Sequence, residues 1–468
     1  MKLSSKALLA LAISSITATA YAEPASQDFV PTTLAGASAQ SEAKGFIDGQ
    51  SLGGTTRNWY SHESKYRGGT FEYKKHGETR TDRNRTNWVQ GTILNASSGF
   101  TQGTVGVGVD AFGLYALRLD GGKGRNGGGG IDFFKRENTV DADGQSAAAN
   151  DLARAGAAVK FRISNTVLKY GDQMPALPVL QYDDARLLPE SFTGTLITSK
   201  EIQGLELNAG RFTQEARKSA ERRDGGGLKS INVLGGSYKF TDNFTASLYT
   251  ADNEDVMKKH YLGLNYVFPI ASDQSLTLDF NGYKSDINNK YVKAAGLNGD
   301  SNTIWSLAAT YAYGAHSFTL AHQRSTGSTG YNYGFYQNAG GVGDGGSTIY
   351  LANSYWSDFN AEDERSWQLG YGLDFGAYGV PGLTYKLAYV VGDNINTRNV
   401  ANPQGFGEGK EREIFNQIRY VVQDGPAKDL SIKLRSSFLR TNNAVQQNGY
   451  NDDGNEVRVF VEYPISIF

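Results

Sequence analysis

The C-terminal stretch Glu456-Val-Arg-Val-Phe-Val-Glu-Tyr-Pro-Ile-Ser-Ile-Phe468 alternates between two kinds of side chain. Every odd-numbered residue from Val457 to Ile467 is Val, Ile or Tyr, whereas Arg458 and Glu462 occupy even-numbered positions. Successive side chains of a β-strand point to opposite faces, so this stretch predicts a strand with one apolar and one partly charged face. A strand of this kind that ends in phenylalanine is typical of the last strand of a bacterial outer-membrane β-barrel.

The same alternation recurs along the chain. Trp367–Phe375 and Leu383–Val391 each place aromatic or aliphatic residues at every second position. We count roughly 18 such segments, separated alternately by short and long connections, as in transmembrane barrels. The sequence therefore predicts an all-β fold, a closed transmembrane antiparallel β-barrel over residues 46–468. Closure is required because lipid cannot satisfy the hydrogen-bonding groups of a free strand edge.

The lengths of the connections indicate which end of the barrel faces the periplasm and which faces the outside of the cell. Short connections typical of periplasmic turns are Gln203-Gly204, Thr241–Asn243, Gly379–Gly382 and Asp424–Ala427. Long connections rich in Gly, Asn and Asp, as extracellular loops are, span Gly121–Ala149, Ala216–Gly227 and Thr326–Asp358. We therefore expect the short turns in the periplasm and the long loops outside, with residues 326–358 as a long extracellular loop.

The N-terminus has the organisation of a secretory signal peptide. Lys2 and Lys6 precede the largely apolar run Ala7–Ile16, and Ala20-Tyr21-Ala22 is a small-x-small cleavage site. We expect residues 1–22 to be a signal peptide and residues 23–45 to form a short periplasmic arm. The predicted location is the outer membrane of a Gram-negative bacterium.

Composition excludes several functions. The chain of 468 residues has 57 glycines, 27 tyrosines, no cysteine and a formal net charge of −2. Without cysteine there is no disulfide, no thiolate nucleophile and no thiolate metal site. A charge near zero argues against nucleic acid as a partner. No cofactor, metal site or catalytic residue is expected.

An outer-membrane enzyme is a less favoured alternative. The chain has five histidines, of which His322 lies near Ser325 and His260 near Asp255 in the sequence. Chance produces such proximities in a chain rich in Gly and Ser, so they do not indicate a catalytic site.

Strand alternation also predicts which cations face the lumen. A lipid-facing Lys or Arg at the membrane midplane costs about 2–4 kcal/mol, so cations between apolar neighbours should point inward. The candidate substrate-binding residues chosen in this way are Arg57, Arg118, Lys160, Arg162, Lys386, Arg419, Lys433, Arg435 and Arg458. They belong to the first four and the last four strands. These two groups of strands meet at the barrel seam, so we expect one continuous basic wall. The middle strands carry acids such as Glu206 and Asp279. The alternative is that these cations are ordinary charged residues of a barrel lumen, solvated by water and without a role in substrate binding.

The segment Met174–Gly194 contains three prolines and several apolar residues. A loop in water does not need this much apolar surface, so we expect it to fold into the barrel and narrow the lumen. The candidate constriction residues are Tyr182, Asp183, Asp184 and Arg186. Packing of this loop on a neighbouring subunit is the alternative.

Five stretches carry a family resemblance: Gly99–Asp110, Lys169–Leu180, Ala185–Pro189, Gly204–Thr213 and Ala352–Phe359. Together they resemble the OprD family of outer-membrane carboxylate channels from pseudomonads and relatives. The resemblance extends over essentially the whole chain that follows the signal peptide.

This resemblance implies an 18-stranded barrel, a third and a seventh loop folded inward, and passive uptake of small carboxylates along an Arg-Lys ladder. Pro175–Pro189 is similar to the third loop and Tyr331–Asp358 to the seventh. Aromatic acids, aliphatic acids and amino acids are all open as substrates, and the acidic pair of the third loop is expected to repel plain anions or hold an amino or hydroxyl group. Expected partners also include outer-membrane lipid, lipopolysaccharide and the barrel-assembly machinery, with the chain a monomer or weak trimer. A general diffusion porin with little selectivity is the alternative function.

Overall fold

The computed structural model describes residues 38–66, 69–75, 78–120, 135–140, 146–148, 150–185, 187–218, 220–224, 227–333 and 349–468. The predicted signal peptide, residues 23–37 of the predicted arm, most of residues 121–149 and residues 334–348 lie outside these ranges. No helix in the described ranges is long and apolar enough to cross a membrane.

Eighteen described strands form one closed antiparallel sheet, which confirms the predicted barrel. In chain order they are β1 Ser51–Lys65, β2 Asn84–Ser97, β3 Val105–Asp120, β4 Asp151–Ile163, β5 Thr166–Gln173, β6 Ser191–Ser199, β7 Leu205–Ala216, β8 Ile231–Thr241, β9 Phe244–Asn253, β10 Met257–Ala271, β11 Gln274–Ile287, β12 Ser301–Tyr313, β13 His316–Gly327, β14 Arg365–Asp374, β15 Leu383–Ile395, β16 Gly409–Val421, β17 Ser431–Thr441 and β18 Gly454–Ser466. Each strand pairs with the next in sequence. The seam closes where β1 pairs with β18, from Gly53 opposite Ser466 to Lys65 opposite Gly454.

Burial alternates along the strands as the sequence predicts. In β4, Lys160 is buried inside the barrel while its neighbour Phe161 is exposed on the outside. The outer surface is apolar: Leu369 on β14 is 65% exposed, whereas the inward-facing Phe415 on β16 is 1% exposed. A continuous apolar outer surface fits lipid, so the packed core of this molecule lies within the lumen.

The connections divide between the two ends of the barrel. All four predicted short turns lie at the end where β1 begins and β18 finishes, the short-turn end. There the Leu52 N–H donates to the Phe468 carbonyl at 3.0 Å. The other end, the long-loop end, carries the hairpins Phe71–Lys75 with Glu78–Asp82 and Lys135–Val140 with Ser146–Ala148.

Several of the connections between strands contain a short helix. At the long-loop end α1 spans Asn289–Ala295 and α2 spans Asn443–Asn448. The side chains of Asn288 and Asn442 accept backbone N–H bonds at their first turns, which satisfies donors that a helix start leaves free. A 3₁₀ turn at Phe375–Tyr378 lies at the short-turn end.

Two long connections enter the lumen. The third, residues 174–190, contains the two-residue hairpin Ala176–Leu177 with Leu180–Gln181, and its Leu187 and Leu188 are buried. The described C-terminal part of the seventh connection, residues 349–364, buries Leu351 and Phe359. Both connections pack on the inner faces of strands, so they occupy space that an open barrel would leave to water.

Candidate functional site

Cations form a row across the inner faces of β15–β18. Lys386 pairs in register with Gln417 on the next strand. Gln417 pairs with Arg435, and Arg435 in turn lies directly opposite Arg458. Strands in a sheet are about 4.8 Å apart, so this first row places three cations within roughly 14 Å.

A second row lies two residues closer to the short-turn end. Arg419 is opposite Lys433, and Lys433 is opposite Phe460. The Lys433 ammonium lies 4.6 Å from the centre of the Phe460 ring, a cation–π distance. Arg419 Nε donates to Ser431 Oγ at 3.0 Å. The two rows therefore bring together five of the nine predicted cations: Lys386, Arg419, Lys433, Arg435 and Arg458.

Arg57 on β1 faces the lumen but is fully engaged. Its Nη1 and Nη2 donate to the two carboxylate oxygens of Asp184 at 2.7 and 3.0 Å, and Nη1 also reaches the Leu187 carbonyl at 3.2 Å. Its Nε donates to Glu462 at 2.6 Å. Arg57 therefore fastens the third loop to the seam, and its predicted role in substrate binding stays a prediction.

A second basic group lies near the short-turn end of β4 and β5. Lys160 Nζ and Lys169 Nζ contact the two oxygens of Asp110 at 2.6 and 2.5 Å. Arg162 lies over the Phe100 ring at 4.1 Å, and its Nε donates to Gln40 Oε1 at 2.9 Å. The part of the predicted arm that is described thus reaches the mouth of the lumen through Gln40.

The predicted continuous wall is interrupted. Between the two rows and the second basic group, the inner faces of β1–β3 carry an apolar cluster that includes Trp59, Val89 and Leu114. Leu187 and Leu188 of the third loop cover this cluster. Arg118, the ninth cation, lies apart at the long-loop end, where its Nη2 donates to Asn150 at 2.6 Å. The sequence predicted correctly which residues of each strand face the lumen. It did not predict the apolar surface on which the third loop packs.

The acidic pair of the third loop is neutralised by cations. Asp183 is 4% exposed and pairs with the buried Lys218, and Asp184 pairs with Arg57. Both carboxylates therefore hold the loop, and the expectation that they repel plain anions or hold a substrate's amino or hydroxyl group stays a prediction. Tyr182 is half-buried, and burial together with the Asp184 charge raises the pKa of Tyr182 to about 12, so the hydroxyl stays neutral at physiological pH. Arg186 lies outside the described residues.

The seventh loop is held by carboxylates of β16. The backbone N–H groups of Trp356 and Ser357 donate to Glu413 at 3.0 and 2.9 Å, and the Ser357 hydroxyl donates to Glu411 at 2.7 Å. The Tyr355 ring stacks on Phe415 at 4.5 Å between centroids. These contacts fix the loop against the wall beside the first row.

The wall opposite the two rows is rich in tyrosine. Tyr261 and Tyr283 on β10 and β11 lie 4.9 Å apart between ring centroids. The Tyr283 hydroxyl donates to the Pro178 carbonyl at 3.2 Å, and Tyr350 of the seventh loop donates to Gln181 at 2.6 Å. The third loop therefore crosses the lumen from the seam to this tyrosine cluster. The candidate residues predicted from the sequence do not include this cluster.

Three inward cations were also missed, and each holds a loop. Arg154 on β4 donates to backbone carbonyls of the third and fourth long connections, including Ala220 at 2.9 Å. Lys259 on β10 donates to the Tyr333 carbonyl at 3.0 Å, and Lys218 pairs with Asp183. Arg154 could have been found from Lys160, because every second residue of β4 faces the same side as Lys160.

Acids lie on the middle strands, as expected. Asp279 accepts from Asn281 at 2.9 Å, and Glu206 pairs with Lys200 at 3.0 Å. Within the described residues, no group of three or more His, Asp or Glu side chains could hold a metal ion.

A closed 18-stranded barrel with an apolar outer surface and loops folded into a charged lumen defines an outer-membrane channel. Residues 44–467 match the family described as outer membrane porin, OprD family. The chain belongs to this family of Gram-negative outer-membrane, substrate-specific channels. That membership confirms that it is a channel and not an enzyme.

Comparison with individual relatives gives the same family. The chain is 42% identical over 446 residues to Porin D of Pseudomonas aeruginosa, covering 92% of this chain and 93% of that protein. It is similar to the crystal structure of OccAB1 of Acinetobacter baumannii, with a TM-score of 0.80, 38% identity, and 92% of this chain and 100% of that chain covered. It is also similar to OpdK of P. aeruginosa solved with vanillate, with a TM-score of 0.73, 27% identity, and coverage of 90% and 100%.

Proposed function

We propose that this channel conducts small carboxylate-containing solutes by passive diffusion along the two cation rows and the second basic group. The observation that carries the proposal is the pairing of Arg435 with Arg458, flanked in register by Lys386 and the Arg419–Lys433 pair. Like charges directly opposite each other weaken a sheet. Glu456 compensates part of this charge, because it pairs with Arg458 at 2.5 Å, but five cations face one lumen across β15–β18 and support a passage whose cargo is anionic.

The geometry suits a carboxylate that moves stepwise. A guanidinium offers a planar fork that matches a carboxylate and stays charged. Side chains about 4.8 Å apart allow the next cation to engage before the last one releases. Each contact in a wet lumen is worth on the order of 1 kcal/mol, weak enough to let the solute leave. The concentration gradient alone supplies the driving force.

The third loop is proposed as the constriction. It is held at the seam by Arg57 and at the opposite wall by Tyr283, so it spans the lumen between the rows and the tyrosine cluster. A solute that passes beside it meets cations on one side and tyrosine rings or hydroxyls on the other. Such a passage favours a carboxylate that carries an aromatic or aliphatic body.

A relative supports the substrate class. OpdK was solved with vanillate, which is an aromatic carboxylate. For the present chain we propose aromatic acids, aliphatic acids or amino acids as the range of solutes.

Topology and partners complete the proposal. We infer that the short-turn end faces the periplasm, that residues 326–358 form an extracellular loop, and that residues 1–22 are removed as a signal peptide, leaving residues 23–45 as a periplasmic arm. The chain is proposed to work as a monomer or weak trimer, assembled by the barrel-assembly machinery, among outer-membrane lipid and lipopolysaccharide.

Ion selectivity tests the proposal. The purified channel in a planar bilayer under a potassium chloride gradient should give a reversal potential of the sign for anion preference. In liposomes, gluconate should enter faster than glucose, which is neutral, similar in size and does not cross the lipid bilayer unaided. Equal rates for both solutes would instead identify a general diffusion porin.

A further inference from the structure

The outer surface carries opposed arginines at the long-loop end. Arg324 on β13 lies directly opposite Arg365 on β14, and Arg412 on β16 lies directly opposite Arg440 on β17. All four occupy outward-facing positions, because the alternate residues, such as the buried Gln323, point into the barrel. Direct opposition of like charges weakens a sheet, so these pairs need a negative partner.

Carboxylates of the protein supply only part of that negative charge. Arg365 pairs with Asp393 at 2.5 Å, and Lys410, also outward-facing, pairs with Glu408 at 3.3 Å. Arg440 donates to the neutral side chain of Asn455 at 2.9 Å. Over the described part of β13–β17, the outward face at this end thus presents five cations, Arg324, Arg365, Lys410, Arg412 and Arg440, against two carboxylates.

Aromatic residues fix the depth of the arginines in the membrane. Trp305 lies opposite Arg324 in register, and Trp367 is two residues below Arg365 on the same face. The His322 ring lies between the two tryptophans, at 5.5 Å from Trp305 and 4.3 Å from Trp367. Aromatic belts mark the boundary between hydrocarbon and headgroups, so the arginines lie at headgroup level.

We propose that Arg324, Arg365 and Arg412 form a binding site for the phosphates of a phosphorylated glycolipid, the lipopolysaccharide of the outer leaflet. Arginine forks match phosphate bidentately. The three arginines lie on β13, β14 and β16 and so extend over roughly 14 Å, which leaves room for two phosphates of one headgroup. Below the arginines, the exposed Leu369 and Ile414 offer an apolar surface for acyl chains. The site assumes only that the long-loop end faces outward, and it is independent of what passes through the lumen.

The test uses the full-length protein in detergent and purified lipopolysaccharide with both lipid A phosphates. Tryptophan fluorescence reports binding, because Trp305 lies directly opposite Arg324 and Trp367 lies two residues below Arg365. The double variant Arg324→Gln with Arg412→Gln should bind roughly ten-fold more weakly or worse, as expected for the loss of two charge-assisted contacts. Dephosphorylated lipopolysaccharide should bind the unmodified protein equally weakly. The matched control is Lys258→Gln, an outward cation at the same end on β10, which should bind like the unmodified protein.

Folding is checked by resistance of the barrel to heat unfolding, and the single variant Arg324→Gln provides a milder change. Gluconate uptake should be unchanged in every variant, which separates this site from the lumen. Equal binding by the double variant, or equal binding of dephosphorylated lipopolysaccharide, would overturn the proposal. So would equally tight binding of phosphatidylglycerol vesicles, or a lipid-free oligomer that the double variant dissociates, since the surface would then serve phospholipid or a second copy of the chain.

Discussion

Arg57 and Asp184, residues 127 positions apart, are joined by two parallel hydrogen bonds of 2.7 and 3.0 Å. Their side chains are only 10% and 20% exposed, so the pair is a largely buried clamp between the third loop and the barrel wall. The pair is therefore one of the contacts that set the shape of the lumen.

Breaking this clamp should loosen the constriction. Asp184→Asn leaves the Arg57 charge with Glu462 alone, and removing one partner of a buried ion pair typically costs about 3–5 kcal/mol. We expect larger and noisier single-channel currents while the barrel stays folded. Asp242→Asn, which alters a fully exposed pair with Lys239 at a short turn, is the control and should leave the current unchanged. A quiet channel of unaltered conductance in Asp184→Asn would show that the clamp does not hold the loop.

The apolar contact between loop and wall gives a second test. A Cβ at Gly91 would approach the side chain of Leu187 to 2.9 Å, so Gly91→Leu must displace this part of the third loop. We expect altered conductance and a lower unfolding temperature, because burial of Leu187 and Leu188 is lost. Gly113→Leu on the neighbouring strand, where a Cβ meets nothing within 4 Å, should change neither quantity. If the two variants had the same conductance and the same unfolding temperature, the third loop would not pack on Gly91.

Gln40 is predicted to position the second basic group. Its Nε2 donates to the carbonyls of Thr101 and Gly103 at 2.9 and 3.0 Å, while its Oε1 accepts from Arg162. Gln40→Ala should release Arg162 and reduce anion selectivity by a factor of roughly two to five, consistent with loss of about 0.5–1 kcal/mol. Gln102→Ala, an exposed residue of the same turn, should leave the reversal potential unaltered. The prediction fails if both variants shift it equally.

The seventh loop should respond to pH through Asp358. Burial raises the pKa of this carboxyl, although the Tyr333 and Ser354 hydroxyls donate to it and lower the shift. An acid whose folded pKa is raised favours the folded state when protonated, so this stabilisation is present at low pH and is lost as pH rises from the ordinary value near 4 through the raised pKa. Current noise from the seventh loop should therefore increase over that interval. Asp358→Asn should reduce the change without removing it, because burial also raises the pKa of Glu364 on the same loop, and Asp363→Asn should leave the change as it is.

How far the sequence predicts the molecule depends on which interactions are local. Strand alternation is local, so the inward positions of Arg162, Arg435 and Arg458 follow from their apolar neighbours. Arg154 was missed because its neighbours are mainly Ala and Gly, so its inward position follows only when the alternation at Lys160 is extended back along β4. The Arg57–Asp184 clamp joins distant segments without any local signal.

The tyrosine cluster shows a different limit. Tyr261 and Tyr283 occupy inward positions, but tyrosine is also the residue expected at the lipid interface, and composition does not distinguish the two. Their environment is set by the loops that fold onto them. The strands were therefore predictable, whereas the filling of the lumen required the three-dimensional structure.

The central claim is that the lumenal cations select carboxylates, and the double variant Arg419→Gln with Arg435→Gln tests it most directly. The variant removes one cation from each row and keeps side chains of similar reach. Gluconate uptake into liposomes should fall roughly ten-fold or more, as expected for two lost contacts of about 1 kcal/mol each, while glucose uptake stays the same. Asp279→Asn on the opposite wall should affect neither solute. Gluconate uptake equal to that of the unmodified channel, or an equal loss for both solutes, would contradict the account.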